Sequence, residues 1–231
     1  MARFTTLPRA LLFDLDGTLA DTIVQLAMAA RKSAEAIGVE APDNRTIQEY
    51  VGNGVNLLLI RTILGRFDVT CEDLDPLLLK RARSVFNEIY AEGLKENFRL
   101  YDGVLEGLNY FKSLAIKLAV VTNKPQIFAV PLLKHMGVYS LFDYVLGGEV
   151  LPVRKPDPLP LEHCLLKLGV DHSEAMMVGD SDNDVLAGIN AGVGTVFFTY
   201  GYNRHNLSSL NIDYSFDSFY DLIHLIENLA R

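Results

Sequence analysis

The stretch ALLFDLDGTL, Ala10 to Leu19, runs four apolar residues straight into two carboxylates. In an extended chain, positions i and i+2 face the same way, so Asp14 and Asp16 can address one ligand. Three further stations carry compatible chemistry. Val120-Val121-Thr122-Asn123-Lys124-Pro125 ends an apolar run with a hydroxyl and an amide. Those groups hydrogen-bond phosphate oxygens without adding negative charge. Val153-Arg154-Lys155-Pro156-Asp157-Pro158 places a lysine where prolines restrict the backbone, so its ammonium is held as a point charge for an anion. Val178-Gly179-Asp180-Ser181-Asp182-Asn183-Asp184 sets three carboxylates within five residues. They repel one another unless a cation sits among them, and a hard divalent ion such as Mg²⁺ suits them. This is not a calcium loop: its sixth and twelfth positions would be Val185 and Ala191 instead of Gly and Glu.

Taken singly, each station has an ordinary structural reading. Asp16-Gly17 is a turn signal, Asn123 and Pro125 close a strand, Lys155 is a solvated loop lysine, and Asp182 belongs to an acidic helix start. Together they have one natural use, phosphoryl transfer to an aspartate. A carboxylate is a feasible nucleophile toward phosphorus. Mg²⁺ and lysine offset its repulsion from an anionic phosphate. A second carboxylate can protonate the leaving oxygen and later deprotonate the attacking water.

These stations must be brought together by strands. Apolar runs at Ala10–Phe13, Lys117–Thr122, Tyr144–Leu146, Ala175–Val178 and Gly194–Thr199, with a weak one at Tyr214–Phe216, read as parallel strands covered on both faces. Helical patterns lie between them. One is N-capped by Asp102 with Val104, Leu105, Leu108, Phe111 and Leu114 inward, one is Leu161–Leu168 ending at Gly169, and one is 181–191 ending at Gly192. The alternation predicts a doubly wound α/β sheet with ligands at the strand carboxyl ends. From Asp21 to Asn97 the strand pattern stops. Helical spacing appears at Ile23-Leu26-Ala27-Ala30-Ala34-Ile37, at Leu57-Ile60-Leu64 and at Leu74-Leu78-Ala82-Val85-Ile89. The expected organisation is an α/β core of residues 1–20 and 98–231, with a helical insertion over 21–97.

The 231 residues are 49% hydrophobic, enough for a full core, and carry a net charge of −8 with a pI near 5.1. That acidity argues against nucleic acid and anionic membranes as partners, and requires a local positive site for an anionic substrate. Cys71 and Cys164 form no disulfide framework and suggest a reducing compartment. MARFTTLPRALLFDLD lacks the long apolar region of a signal peptide, and no run approaches a membrane span, so a cytoplasmic location is expected. His135, His163, His172, His205 and His224 have no metal-ligand spacing.

Asp14-Leu15-Asp16-Gly17-Thr18, Thr122, Lys155 and Gly179-Asp180…Asp184 resemble, in order, the four motifs of the haloacid dehalogenase superfamily of phosphatases. The insertion is similar to that family's helical cap. Thr122-Asn123-Lys124-Pro125, Lys155-Pro156-Asp157-Pro158-Leu159-Pro160-Leu161, Gly179-Asp180-Ser181, Thr199-Tyr200-Gly201-Tyr202-Asn203 and Gly52-Asn53-Gly54 resemble its bacterial phosphoglycolate phosphatase subfamily. The resemblance implies Asp14 as nucleophile and Mg²⁺ ligand, and Asp16 as acid/base touching the metal through its carbonyl. It implies Thr122 and Asn123 as phosphoryl holders, and Lys155 as the charge steadying Asp14 and the phosphate. Asp180 would be a Mg²⁺ ligand, with Asp184 a direct or water-mediated partner. Asp182 is a departure, since the subfamily commonly has a basic residue there. True dehalogenases lack the second aspartate, so Asp16 points away from dehalogenation.

The resemblance also implies a lid that excludes water, with hinges near Ala20-Asp21 and Glu96-Phe98. Asn53 and Arg61 are candidates for the non-phosphate end of the substrate, a carboxylate in 2-phosphoglycolate, which suits a bidentate arginine. The expected partner is a small phosphorylated metabolite, and the expected state a monomer or homodimer. Alternatives are a phosphomutase, or a phosphatase of sugar phosphates, nucleotides or pyrophosphate. A phosphoryl-accepting receiver module is the non-enzyme alternative, but it is usually about half this length and places its acidic pair before the acceptor.

Overall fold

The computed structural model describes residues 4–94, 98–202 and 207–231. Glu96 of the expected hinge, Asn203 and His205 lie outside them. Chain contacts divide the molecule into two units, Met1–Asp21 with Leu100–Arg231, and Thr22–Arg99.

The first unit is built on a six-stranded parallel sheet. Its strands are β1 (Ala10–Phe13), β4 (Lys117–Pro125), β5 (Tyr144–Gly148), β6 (Ala175–Gly179), β7 (Gly194–Phe198) and β8 (Tyr214–Phe216), in the order β5-β4-β1-β6-β7-β8. A separate ladder pairs β2 (Ala20–Asp21) with β3 (Arg99–Leu100). Phe13 is in register with Val120 on one side and Val178 on the other. The chain winds from β1 outward to β4 and β5, then crosses to β6. That reversal puts the carboxyl ends of β1, β4 and β6 at the topological switch point, where open α/β sheets bind ligands.

Alternation explains the two covered faces. Ala10 and Leu12 face a core with Leu161, Cys164 and Leu165 of α7 (Leu159–Leu168) and Ala187 of α8 (Asp182–Ala191). Phe13, on the other face, packs on Phe111 of α5 (Val104–Ser113) and Phe219 of α9 (Phe219–Leu229), with centroids 6.5 and 6.0 Å away. α6 (Gln126–His135) follows β4 directly. Helix ends follow their capping residues. α7 and α8 stop at left-handed Gly169 and Gly192, and α9 opens with a Ser218/Asp221 capping box. Two expectations are corrected here. The α5 N-cap is Gly103 at φ 83°, a backbone that disfavours the neighbouring aspartate, and Leu105 is 51% exposed. β4 also runs on through Asn123 and Lys124 to Pro125, which still pairs with Gly148 after a register shift.

Among its described residues the second unit has four helices: α1 (Ile23–Glu35), α2 (Asn44–Glu49), α3 (Val55–Leu64) and α4 (Pro76–Gly93). Asp75 caps α4 by accepting from the Leu77 and Leu78 amides, with Pro76 in the first turn. Leu26, Ala27, Ala30 and Ala34 are buried on α1 as the spacing requires. On α4 the buried ridge is Ala82, Phe86 and Tyr90: Ala82 is buried as expected, as is Leu74 before the helix, while Phe86 and Tyr90 take the places expected for Val85 and Ile89, and Leu78 is 42% exposed. The bulky rings take the interior, where Phe86 and Tyr90 stack at 5.3 Å. On α3 the buried apolar set is Val55, Leu58, Leu59 and Ile60, so the expected Leu57 and Leu64 are not its core. No helix among the described residues is long and apolar enough to cross a membrane.

Candidate active site

The sheet edge brings Asp14, Thr122, Lys155, Asp180 and Asp184 together. Asp14 continues β1, its amide donating to Val178 O at 2.9 Å. Ser181 and Asp184 form the capping box of α8. Asp184 thereby serves both readings of the acidic cluster. Its Oδ2 accepts from Ser181 N (3.0 Å), Ser181 Oγ (2.6 Å) and Asp180 N (3.2 Å), while Oδ1 takes Lys155 Nζ at 2.6 Å. Asp182 is the first residue of the helix and accepts from Asn183 N.

Lys155 is 1% exposed and lies between two carboxylates, 3.1 Å from Asp14 Oδ1 and 2.6 Å from Asp184 Oδ1. Its loop is held by Asn123, whose Nδ2 donates to Lys155 O at 2.9 Å and whose Oδ1 accepts from Lys155 N at 3.0 Å. The Asn123 amide, expected at the phosphoryl group, also places the lysine.

Asp180 is fixed from three sides. Thr18 Oγ1 donates to its Oδ1 and Tyr202 N to its Oδ2, both at 2.7 Å. A Cβ on Gly17 or Gly201 would collide with its carboxylate. Gly17 also sits at φ 86°, where glycine is favoured. Tyr200 donates to Thr18 O at 2.7 Å, closing a brace behind that contact.

The electrostatics are those of a crowded anionic site. Burial pushes the Asp14 carboxyl from near 3.8 to about 6; Lys155 and the Thr122 hydroxyl pull it back, while Asp184 and Asp16 add to the rise. Burial also pushes Asp180 well up, reinforced by Asp184 and Asp14. Burial draws Lys155 down, but Asp14 and Asp184 outweigh it and leave the lysine above its ordinary range.

The fit to a cation rests on two features. Carboxylate oxygens of Asp14, Asp180 and Asp184 lie within 4.8 Å of one another. Asp14 Oδ1 is buried and, among the described residues, meets the Lys155 ammonium but no aligned hydrogen-bond donor. Oxygen ligands so clustered suit a hard divalent ion.

Four supports stand inside the quoted motifs with no role expected of them there: Lys124, Thr18, Tyr200 and Tyr202. Lys124 Nζ contacts both oxygens of Asp16, at 2.9 and 3.0 Å. In the helical unit, Arg61 is 6% exposed. Its Nε donates to Phe67 O (2.9 Å), and its Nη1 to Tyr50 O (3.0 Å) and Asn53 Oδ1 (2.9 Å). The guanidinium also lies 4.0 Å from the centre of the Phe67 ring. Neither solvated nor splayed outward, Arg61 ties the Gly52-Asn53-Gly54 loop to α3.

A model of the haloacid dehalogenase-like hydrolases matches residues 11–198, spanning all four stations. The chain belongs to that family. Among similar proteins of this family is the phosphoglycolate phosphatase of Thiobacillus denitrificans, 41% identical over 206 residues, 89% of each chain. That of Colwellia psychrerythraea is 38% identical over 214 residues, 92% of this chain and 94% of the other. A crystal structure described as a predicted phosphoglycolate phosphatase of Haemophilus somnus superposes with a TM-score of 0.87 at 32% identity, covering 96% and 98%. The α/β sheet covered by helices is therefore the family's core, and the chain is an enzyme, a hydrolase.

Proposed function

We propose that this hydrolase is a Mg²⁺-dependent phosphatase of a small phosphomonoester, 2-phosphoglycolate, acting in the cytoplasm as a monomer or homodimer. The observation that carries the reading is the convergence of Asp14, Lys155 and the Asp180–Asp184 pair on one sheet edge. The substrate assignment is supported by relatives named phosphoglycolate phosphatase that match nearly the whole chain.

In this reading an Asp14 oxygen attacks phosphorus, the ester P–O bond breaks, and Asp16 gives the leaving oxygen its proton. Asp16 then takes a proton from water, the resulting hydroxide attacks the phospho-aspartate, and phosphate leaves with Asp14 regenerated. Lys155 neutralises Asp14 as the phosphate approaches, and Thr122 holds the phosphoryl oxygens beside it. Asn123 joins Thr122 at the phosphoryl group and also holds the Lys155 loop. Mg²⁺, held by Asp14, Asp180, the Asp16 carbonyl and Asp184 directly or through water, would supply charge neutralisation at the transferring phosphoryl group. The helical unit, residues 21–97, serves as the cap. Asn53 and Arg61, joined by a side-chain hydrogen bond, are the specificity candidates of that unit.

Phosphate release over 2-phosphoglycolate, sugar phosphates, nucleotides and pyrophosphate, with Mg²⁺ or EDTA, tests the reading. Preferred turnover of 2-phosphoglycolate, dependent on Mg²⁺ and abolished in Asp14→Asn, is expected. Equal rates across the panel would remove the substrate assignment. Persistent turnover in Asp14→Asn would remove the mechanism.

A further inference from the structure

Asp16 sits two residues beyond Asp14, yet the carboxylates gathered for a cation are Asp14, Asp180 and Asp184. The Asp16 carboxylate instead meets the Lys124 ammonium, which touches both its oxygens. The lysine side chain is 2% exposed and the aspartate 11%. Burying an ion pair costs desolvation that its attraction often fails to recover, so stability alone is a weak reason for it. Geometry is a better one. β1 and β4 are neighbours in register, and side chains two residues apart share a direction. The Thr122 hydroxyl bonds Asp14, and two residues on, Lys124 grips Asp16. The nucleophile and the second carboxylate are thus each met by a side chain of β4, from residues two apart on that strand.

We propose that Lys124 is a positioning residue for Asp16, fixing its carboxylate by both oxygens beside the nucleophile and outside the metal-binding trio. This rests on the reading of Asp16 as proton donor to the leaving oxygen: the Asp16–Lys124 pair holds one proton, on the ammonium at rest, which passes through Asp16 to the leaving oxygen and is restored by the attacking water. A proton donor matters for an alkoxide leaving group and hardly at all for a nitrophenolate, which leaves unaided. Benzyl phosphate and p-nitrophenyl phosphate differ in this respect while remaining similar in size and without a carboxylate.

The experiment compares kcat/KM for these two esters in wild type, Lys124→Met, Lys124→Gln, Asp16→Asn and the double variant Asp16→Asn/Lys124→Met. Both rates come from one preparation, so their ratio is independent of the folded fraction. The benzyl-to-nitrophenyl ratio should fall about 10- to 100-fold in both Lys124 variants. It should fall at least as far in Asp16→Asn, and no further in the double variant. A ratio unchanged in the Lys124 variants but lowered in Asp16→Asn overturns the role of Lys124 and leaves the proton donor standing. Multiplying losses in the double variant overturn it equally. A ratio unchanged in Asp16→Asn removes the proton-donor reading itself, and this inference with it.

Discussion

Lys155 and Asp184 form a 2.6 Å ion pair in which both side chains are 1% exposed. The other Asp184 oxygen is committed to the start of α8. One side chain therefore ties the lysine of a loop to the helix that follows β6. Asp184→Ala removes both attachments and leaves a buried ammonium short of a partner. Breaking a buried pair from one side costs about 3–5 kcal/mol. Chemical denaturation should show a loss of that order, and Asp184→Asn, which keeps an acceptor for Ser181, a smaller one.

Asp14 gives the metal-free protein a definite pH dependence. Unfolded, the carboxyl titrates near 3.8; folded, it titrates at about 6. Between those values the folded state holds a proton that the unfolded state has lost, so this contribution is complete below pH 3.8 and is lost as pH rises through 6. Asp180 is shifted in the same direction. In EDTA, stability measured by denaturation should therefore decline across this window. Asp14→Asn should flatten the decline and exceed wild type at pH 7 by up to about 3 kcal/mol, two pKa units at 1.36 kcal/mol each. Saturating Mg²⁺ should reverse that order, because the variant lacks a ligand.

Gly201 isolates the placement of Asp180 from backbone strain. A Cβ there would meet the Asp180 side chain, and Gly201 is not among the residues of positive φ. Gly201→Ala must therefore push the carboxylate aside. Supports behind metal ligands are worth about 10- to 100-fold in affinity. Calorimetric Mg²⁺ titration of the variant should show a weakening in that range with an unchanged far-ultraviolet spectrum.

Particular residues show what the sequence could express. Asp14 and Asp180 were legible because apolar strands end at them and parallel winding sends strand ends to one edge. The run of helices from Ile23 to Gly93 was legible because the strand pattern stops after Ala20-Asp21. Lys124 was not, because a lysine at a strand end carries no periodic mark of its partner on another strand. The burial of Arg61 was not legible for a related reason: the backbone oxygens of Tyr50 and Phe67 that hold its guanidinium leave no trace in spacing. On α4 the spacing reaches Ala82 but not Phe86 and Tyr90, which only packing selects over Val85 and Ile89.

Arg61 supplies the last prediction, confined to the helical unit. Its guanidinium bonds three oxygens and stacks on Phe67. Arg61→Met keeps an apolar stem but removes these donors. A buried acceptor stripped of its donor costs about 1–3 kcal/mol. A total loss of about 2–4 kcal/mol is expected in denaturant unfolding. Faster amide exchange should be concentrated at Tyr50–Gly54 and Phe67, the segments the arginine joins. Exchange in β1, β4 and β6 should stay at the wild-type rate; quickening there to the same extent would mean that Arg61 stabilises the whole chain and has no particular hold on the Asn53 loop.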